Sequence, residues 1–168
     1  HSNMPRQVGS NDPNIQLNLA AIYEKQGRTK EAAKAVEKGS KSGKASTEAL
    51  ERMGAQQMKA KQYDAALKTY RQLAAADPKR GLAYANMGYI HSIKGQTDKA
   101  IENLKLAVRY DKEDEGAWLA LGEAYEKKKM YKEALEAYKA AYQINPESRA
   151  AERIPQLRIK MLEDKHKE

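Results

Sequence analysis

The chain contains no cysteine among its 168 residues, which excludes disulfide bonds and thiol catalysis but leaves the redox compartment undetermined. It has no phenylalanine and a single tryptophan, so ten tyrosines supply most of its aromatic surface. It also lacks any run of about eighteen apolar residues, so it predicts no transmembrane segment. We therefore expect a soluble domain, in the cytoplasm rather than the periplasm or outside the cell.

The first twelve residues differ from the rest in composition. His1-Ser2-Asn3-Met4 is typical of a remnant of an expression vector, and residues 5–12, rich in Pro, Gly, Ser and Asn, indicate a linker or frayed end. We therefore base no functional prediction on His1–Met4. The sequence leaves open whether a signal peptide or membrane anchor preceded these residues and was removed.

Small residues recur with a fixed period. Gly54, Gly88 and Gly122 are 34 residues apart, and alanine recurs at positions 32, 66, 100 and 134. Such a period is the signature of a repeat protein. It divides the chain into four registers, which are residues 13–46, 47–80, 81–114 and 115–148.

Each register predicts two helices. Trp118, Leu121 and Tyr125 have the i, i+3, i+7 spacing of one helix face, and a second such stripe begins at Ala134. Between the two predicted helices, registers 1 and 3 carry a glycine, where a helix end favours a residue that tolerates positive φ. Each unit is therefore predicted to be a helix–turn–helix.

The last register carries a family motif. It reads Trp118-x-x-Leu121-Gly122-x-x-Tyr125, followed by Ala134, Tyr138, Ala141 and Pro146. At these residues the chain resembles the tetratricopeptide repeat (TPR) family, over residues 13–148. The resemblance implies an all-α fold, a right-handed α-solenoid of four TPR repeats in which stacked neighbours bury each other's apolar faces.

Residues 149–168 are predicted to form a capping helix and a charged tail. Ala150, Ile154, Leu157 and Met161 make an apolar stripe, and four basic residues are expected in solvent, namely Arg149, Arg153, Arg158 and Lys160. Pro155 either kinks this helix or restarts it as a first-turn proline.

The resemblance places a concave groove on the first helices of the repeats. From the positions that line this groove in the family, the expected binding residues are Leu17, Arg52, Met58, Lys59, Leu82, Asn86, Tyr89, Ile93, Leu119 and Lys127. Repeat 3 stands out because Leu82, Tyr89 and Ile93 are large and apolar there, with Met58 and Leu119 as expected neighbours.

An exposed apolar patch of this kind favours a protein-binding site. With Arg52, Lys59 and Lys127 at its rim, it would suit a peptide or amphipathic helix with acidic flanks. Two alternatives are that the capping helix or a neighbouring chain covers the patch, or that Ile93 packs within its own repeat. The predicted function is a scaffold or adaptor.

One TPR subtype is excluded, namely the cochaperones that clamp a C-terminal carboxylate with paired Lys, Arg and Asn side chains. The aligned positions hold Leu17, Ala21, Arg52, Leu82 and Asn86 in repeats 1–3, or Glu51, Ala55, Asn86, Gly116 and Ala120 in repeats 2–4. Asn86 alone matches in repeats 2–4, so the paired cations that hold the carboxylate are missing.

The sequence predicts no enzyme and no cofactor. His91 occupies a position that is Tyr23 or Tyr125 in other repeats, which indicates helix packing, and His166 lies in the charged tail. No spacing suits zinc. The glycine-rich stretch 39–44 lacks the spacing of a phosphate-binding loop and is predicted to be a flexible connection.

Two other functions stay open. Repeat 1 has seven Lys or Arg against three acids and repeat 2 has seven against four, so the N-terminal half is basic and would attract an acidic partner or surface. Nucleic acid is the least favoured partner, because no aromatic residues are interleaved with this charge. Ile15, Leu19 and Ile22 need cover at the first helix, which either a missing N-terminal segment or, through self-assembly, another copy of the chain would supply.

Overall fold

The computed structural model describes residues 12–40 and 45–167, and all regular structure in these ranges is helical. The helices are α1 (Pro13–Lys25), α2 (Thr29–Ser40), α3 (Thr47–Lys59), α4 (Tyr63–Ala76), α5 (Gly81–Ile93), α6 (Thr97–Tyr110), α7 (Glu115–Lys127), α8 (Tyr131–Ile144) and α9 (Ala150–Lys167). The all-α prediction is confirmed. Residues 1–11, which we assigned to the vector remnant and linker, lie outside the described ranges.

The chain divides into two compact units. The first ends at Pro78 and contains α1 to α4, and the second begins at Lys79 and contains α5 to α9. Helices α1, α3, α5 and α7 begin at residues 13, 47, 81 and 115, the first residues of the four registers. None of the helices in the described ranges combines the length and the apolar composition that a membrane span requires.

Short polar side chains start several helices. The Asp12 carboxylate accepts a hydrogen bond from the backbone N–H of Asn14, which opens α1. At the start of α3, Ser46 Oγ accepts a hydrogen bond from the backbone N–H of Ala49. At the start of α7, Asp114 Oδ1 accepts one from the N–H of Ala117. These caps satisfy donors that the first helical turn leaves without a partner.

The turn within each repeat closes in the same way. The backbone N–H of Arg28 donates to the carbonyl of Tyr23 at 2.8 Å, and equivalent bonds join residues 62 and 57, 96 and 91, and 130 and 125. This pattern needs a residue with positive φ. Gly27 and Gly95 supply it as predicted, at φ of 73° and 75°, whereas Lys61 and Lys129 take φ of 59° in the other two repeats.

Helix α9 packs on the second unit as the predicted cap. Ala150 and Leu157 are buried, and Ile154 and Met161 pack half-buried against the same core. The helix continues through Pro155 without a break, so this proline does not begin a new helix. Arg153 was expected in solvent and is only partly so, because its guanidinium contacts Glu126 on α7 and the Tyr138 ring on α8.

Candidate functional site: a groove between α5, α7 and α9

An open groove of about 590 Å³ lies in the second unit. Its walls are the C-terminal halves of α5 and α7 and one side of α9. The side chains that give it its character are Tyr89, Ile93, Glu126, Lys127, Arg153 and Lys160. The groove is therefore apolar on the α5 side and charged on the α7 and α9 side.

The apolar wall continues along α5. Leu82, Asn86, Tyr89 and Ile93 have the i, i+4, i+7, i+11 spacing of one helix face. Ile93 is 55% exposed and Leu82 is 41% exposed, which is unusual for such large side chains. Asn86 Nδ2 donates to the carbonyl of Leu82 at 2.9 Å. This face offers an apolar stripe along three turns of helix.

Tyr89 is the aromatic member of the stripe and is half-buried. Burial raises the pKa of its hydroxyl to about 12, and the nearby charges of Asp114 and Glu115 act in the same direction. The hydroxyl therefore stays protonated and remains a hydrogen-bond donor throughout the neutral range.

A charged network centred on Glu126 holds α9 in place. Glu126 Oε1 accepts hydrogen bonds from the Tyr138 hydroxyl and from Arg153 Nη2, both at 2.8 Å. Lys160 Nζ lies 3.9 Å from the other carboxylate oxygen. The guanidinium of Arg153 also stacks 5.8 Å above the Tyr138 ring. One carboxylate on α7 thus joins α8 and α9.

The network shifts the acidity of its members. Burial alone would raise the pKa of Glu126, but hydrogen bonds from Arg153 and Tyr138 outweigh it, and the pKa lies below its ordinary value. The hydrogen bond to Glu126 raises the pKa of Arg153, and burial with the Glu126 contact raises that of Tyr138. The ionised pair is therefore the stable form.

Tyr89, Ile93 and Lys127 of the predicted binding residues come together in this groove. Leu119 was expected in the exposed patch, and this was wrong, because it is 6% exposed and packs in the core of the second unit. The alternative that Ile93 packs within its own repeat was also wrong, since more than half of its surface is exposed. Helix α9 forms a wall of the groove and leaves it open.

Two further predicted residues, Leu82 and Asn86, lie on α5 as described above. The other four, Leu17, Arg52, Met58 and Lys59, lie in the first unit, which carries a smaller groove of about 290 Å³. Arg52 there donates to Asn18 Oδ1 at 3.4 Å, and Lys59 lies 3.5 Å from a carboxylate oxygen of Glu24. Met58 is half-buried. Leu17 borders this groove but is only 2% exposed, so it was wrongly expected to offer surface to a ligand.

The sequence interpretation missed Arg153 and Lys160 as groove residues. Both had been assigned to the solvated side of the cap. Continuing the 34-residue register past residue 148 would have placed them at positions 5 and 12, two of the positions that line the groove in the repeats. The helix after the last repeat takes the place of a further first helix.

The predictions about His91 and about metal binding can be compared with the described part of the chain. His91 is buried, and its Nδ1 lies 2.7 Å from Gln96 Oε1, so it is a packing residue as predicted. Within residues 12–40 and 45–167, no cluster of His, Asp or Glu has the arrangement of a metal site.

Sequence comparison agrees with the helix pairs. Three family models, each described as a tetratricopeptide repeat, match residues 13–41, 48–80 and 94–149. The chain belongs to the tetratricopeptide repeat family. The family predicted from the Trp118–Pro146 motif is thereby confirmed, and the TPR matches include parts of both units.

A curated TPR protein is similar in sequence to part of this chain. Small glutamine-rich tetratricopeptide repeat-containing protein 2 of Mycosarcoma maydis is 32% identical over 102 residues. The matched segment is 61% of this chain and 29% of that protein, so the chain spans less than a third of that relative.

Solved structures share the fold. The crystal structure of MamA superposes with a TM-score of 0.80 at 22% identity, covering 91% of this chain and 85% of MamA. YrrB, a TPR protein with an unusual peptide-binding site, gives a TM-score of 0.74 at 20% identity, covering 90% and 78% of the two chains. These likenesses establish the TPR fold.

Proposed function

We propose that this TPR chain is a protein-interaction module that binds a peptide or helical segment of a partner in the groove between α5, α7 and α9. The observation that carries the proposal is the exposure of Leu82 and Ile93 on one face of α5, beside an open groove. Exposed apolar surface next to a concavity is typical of sites that bind other proteins. The peptide-binding site of the structural relative YrrB supports the same role.

The charges of the groove favour a partner with acidic residues beside its apolar contacts. Lys127 is exposed and makes no ion pair within the described part of the chain, and Lys160 is 52% exposed at the edge of the Glu126 network. Exposed ion pairs contribute about 0–1 kcal/mol each. The apolar stripe therefore supplies the affinity, and Lys127 and Lys160 orient the partner.

This role requires no catalysis and no cofactor. Two titratable groups of the groove, Glu126 and Arg153, are tied into the structural network, with Glu126 held by Arg153 and Tyr138. An ion-paired carboxylate with a lowered pKa is a poor general base. The groove is accordingly proposed as a recognition surface for a protein segment.

The proposal is tested by recovery of a partner from the source cells. We expect Leu82→Glu/Ile93→Lys, which leaves the net charge unchanged, to lose a partner that the unaltered chain retains at high salt. The matched control is Met130→Glu/Tyr142→Lys, which alters two other exposed apolar residues on or beside α8. Equal recovery by all three proteins would contradict the assignment of the groove.

A further inference from the structure

Helix α9 has a second apolar face that the fold does not use. Pro155, Ile159, Leu162 and His166 follow one another at i, i+4, i+7 and i+11, on the side opposite Ala150 and Leu157. Ile159 is 58% exposed and Leu162 is 60% exposed, the highest values among the large apolar side chains described. Neighbouring exposed apolar side chains of this size are typical of a surface that contacts another protein.

The spacing on this face is that of a coiled coil. Alternating steps of four and three residues place Ile159 at position a and Leu162 at position d of a heptad. A β-branched residue at a with leucine at d favours two parallel strands. We infer that α9 pairs side by side with α9 of a second copy of this chain, as a short parallel two-stranded coiled coil.

The flanking charges select the parallel orientation. Arg158 precedes position a and Glu163 follows position d, so in a parallel pair Arg158 of one copy faces Glu163 of the other. In an antiparallel pair that joins Ile159 to Leu162, Arg158 would instead face Lys165 of the second copy, a like charge, and Glu163 would face Gln156 without a cationic partner. Arg158 and Glu163 are exposed and form no ion pair within residues 12–40 and 45–167, so both are available to the second copy.

The pair is expected to be weak. Helix α9 is 18 residues long, and the face offers about one and a half heptads. Burial of Ile159 and Leu162 from two copies has to offset the loss of translational and rotational freedom. We therefore expect a dissociation constant on the order of 0.1 mM for the isolated chain.

The experiment is sedimentation equilibrium over a concentration series that extends above this value. The unaltered chain is expected to approach the mass of a dimer, and Ile159→Lys/Leu162→Glu is expected to remain a monomer with an unchanged helical circular dichroism spectrum. The control variant Ile15→Lys/Ile22→Glu removes the exposed apolar residues of α1 and should dimerise like the unaltered chain. A strict monomer, or a dimer lost in this control but not in the α9 variant, would overturn the inference.

Charge exchange tests the orientation. Arg158→Glu and Glu163→Arg are each expected to weaken the dimer about threefold to tenfold, because two exposed ion pairs are replaced by like charges. The double variant Arg158→Glu/Glu163→Arg reverses both charges and should restore the original dissociation constant. If it remains as weak as the single variants, the parallel pairing is wrong.

Discussion

Gly54 on α3 lies directly against the ring of Tyr70 on α4. A Cβ atom added to Gly54 would be 2.5 Å from Tyr70 Cζ, closer than real Cβ contacts come. Gly122 has the same relationship with Tyr138, whereas repeat 1 holds Ala20 and Val36 at the corresponding positions. The side chains at these two positions therefore compete for the same space, and the first position is glycine where the second is tyrosine.

Gly54→Ala is expected to lower the free energy of unfolding by about 1–3 kcal/mol through overpacking. The loss should appear although alanine is the better helix former by about 1 kcal/mol. Adding Tyr70→Val, which reproduces the pair of repeat 1, should make the double variant more stable than the sum of the two single effects. Denaturant unfolding of the four proteins measures this coupling, and strictly additive effects would contradict the shared volume.

The left-handed lysines predict a stabilising substitution. Lys129 has a φ of 59° at the position where Gly95 has 75°. A residue with a Cβ in the left-handed conformation costs about 1–2 kcal/mol, and glycine removes this cost. Glycine also loses more conformational freedom on folding, which offsets part of the gain, so Lys129→Gly should raise the unfolding free energy by about 0.5–1 kcal/mol. The reverse change, Gly95→Lys, should lower it by a similar amount. A loss of stability in Lys129→Gly would show that the turn is unstrained.

The Glu126 network predicts a dependence of stability on pH. The pKa of Glu126 in the folded chain is below its ordinary value of 4.5, so its contribution is complete above that value and is lost as pH falls through the lower folded pKa. Glu126→Gln should therefore be less stable than the unaltered chain at neutral pH, and the difference should shrink below about pH 4.5. Denaturant unfolding at several pH values measures the difference, and a gap that stays constant would contradict the ionised network.

Arg153 provides a separate test of how α9 is held. Arg153→Ala removes a charged hydrogen bond and leaves Glu126 partly buried, and should cost about 1.5–3 kcal/mol at neutral pH. Arg149→Ala is the matched control, since its contact with Glu123 is 3.6 Å long and its side chain is 71% exposed, so its loss should cost less than about 1 kcal/mol. Equal effects would mean that the network does not anchor α9.

The repeat could be predicted from the sequence because close helix packing restricts residue size. Gly88 and Gly122 recur with period 34 since the partner side chain leaves no room for a Cβ. The positive φ near Gly27 and Gly95 follows from the same logic, whereas the conformation of Lys61 and Lys129 is imposed by the shared turn and not by their own preference.

The site was predictable in part. Tyr89, Ile93 and Lys127 followed from their positions in the repeat, because these positions belong to the open face of a first helix. Leu119 also occupies a predicted groove position of a first helix, but it is buried. Whether a side chain at the edge of the groove is exposed depends on the neighbouring side chains that pack over it. Arg153 and Lys160 were missed because they follow the last recognisable repeat.

The central claim is that the groove between α5, α7 and α9 binds a segment of a partner protein. Its most direct test is backbone hydrogen–deuterium exchange of the chain with and without the partner recovered at high salt. The account predicts slower exchange around Ile93, Lys127 and Lys160, and no such change in Leu82→Glu/Ile93→Lys. Slower exchange confined to α1 and α2, with the groove unaffected, would contradict it.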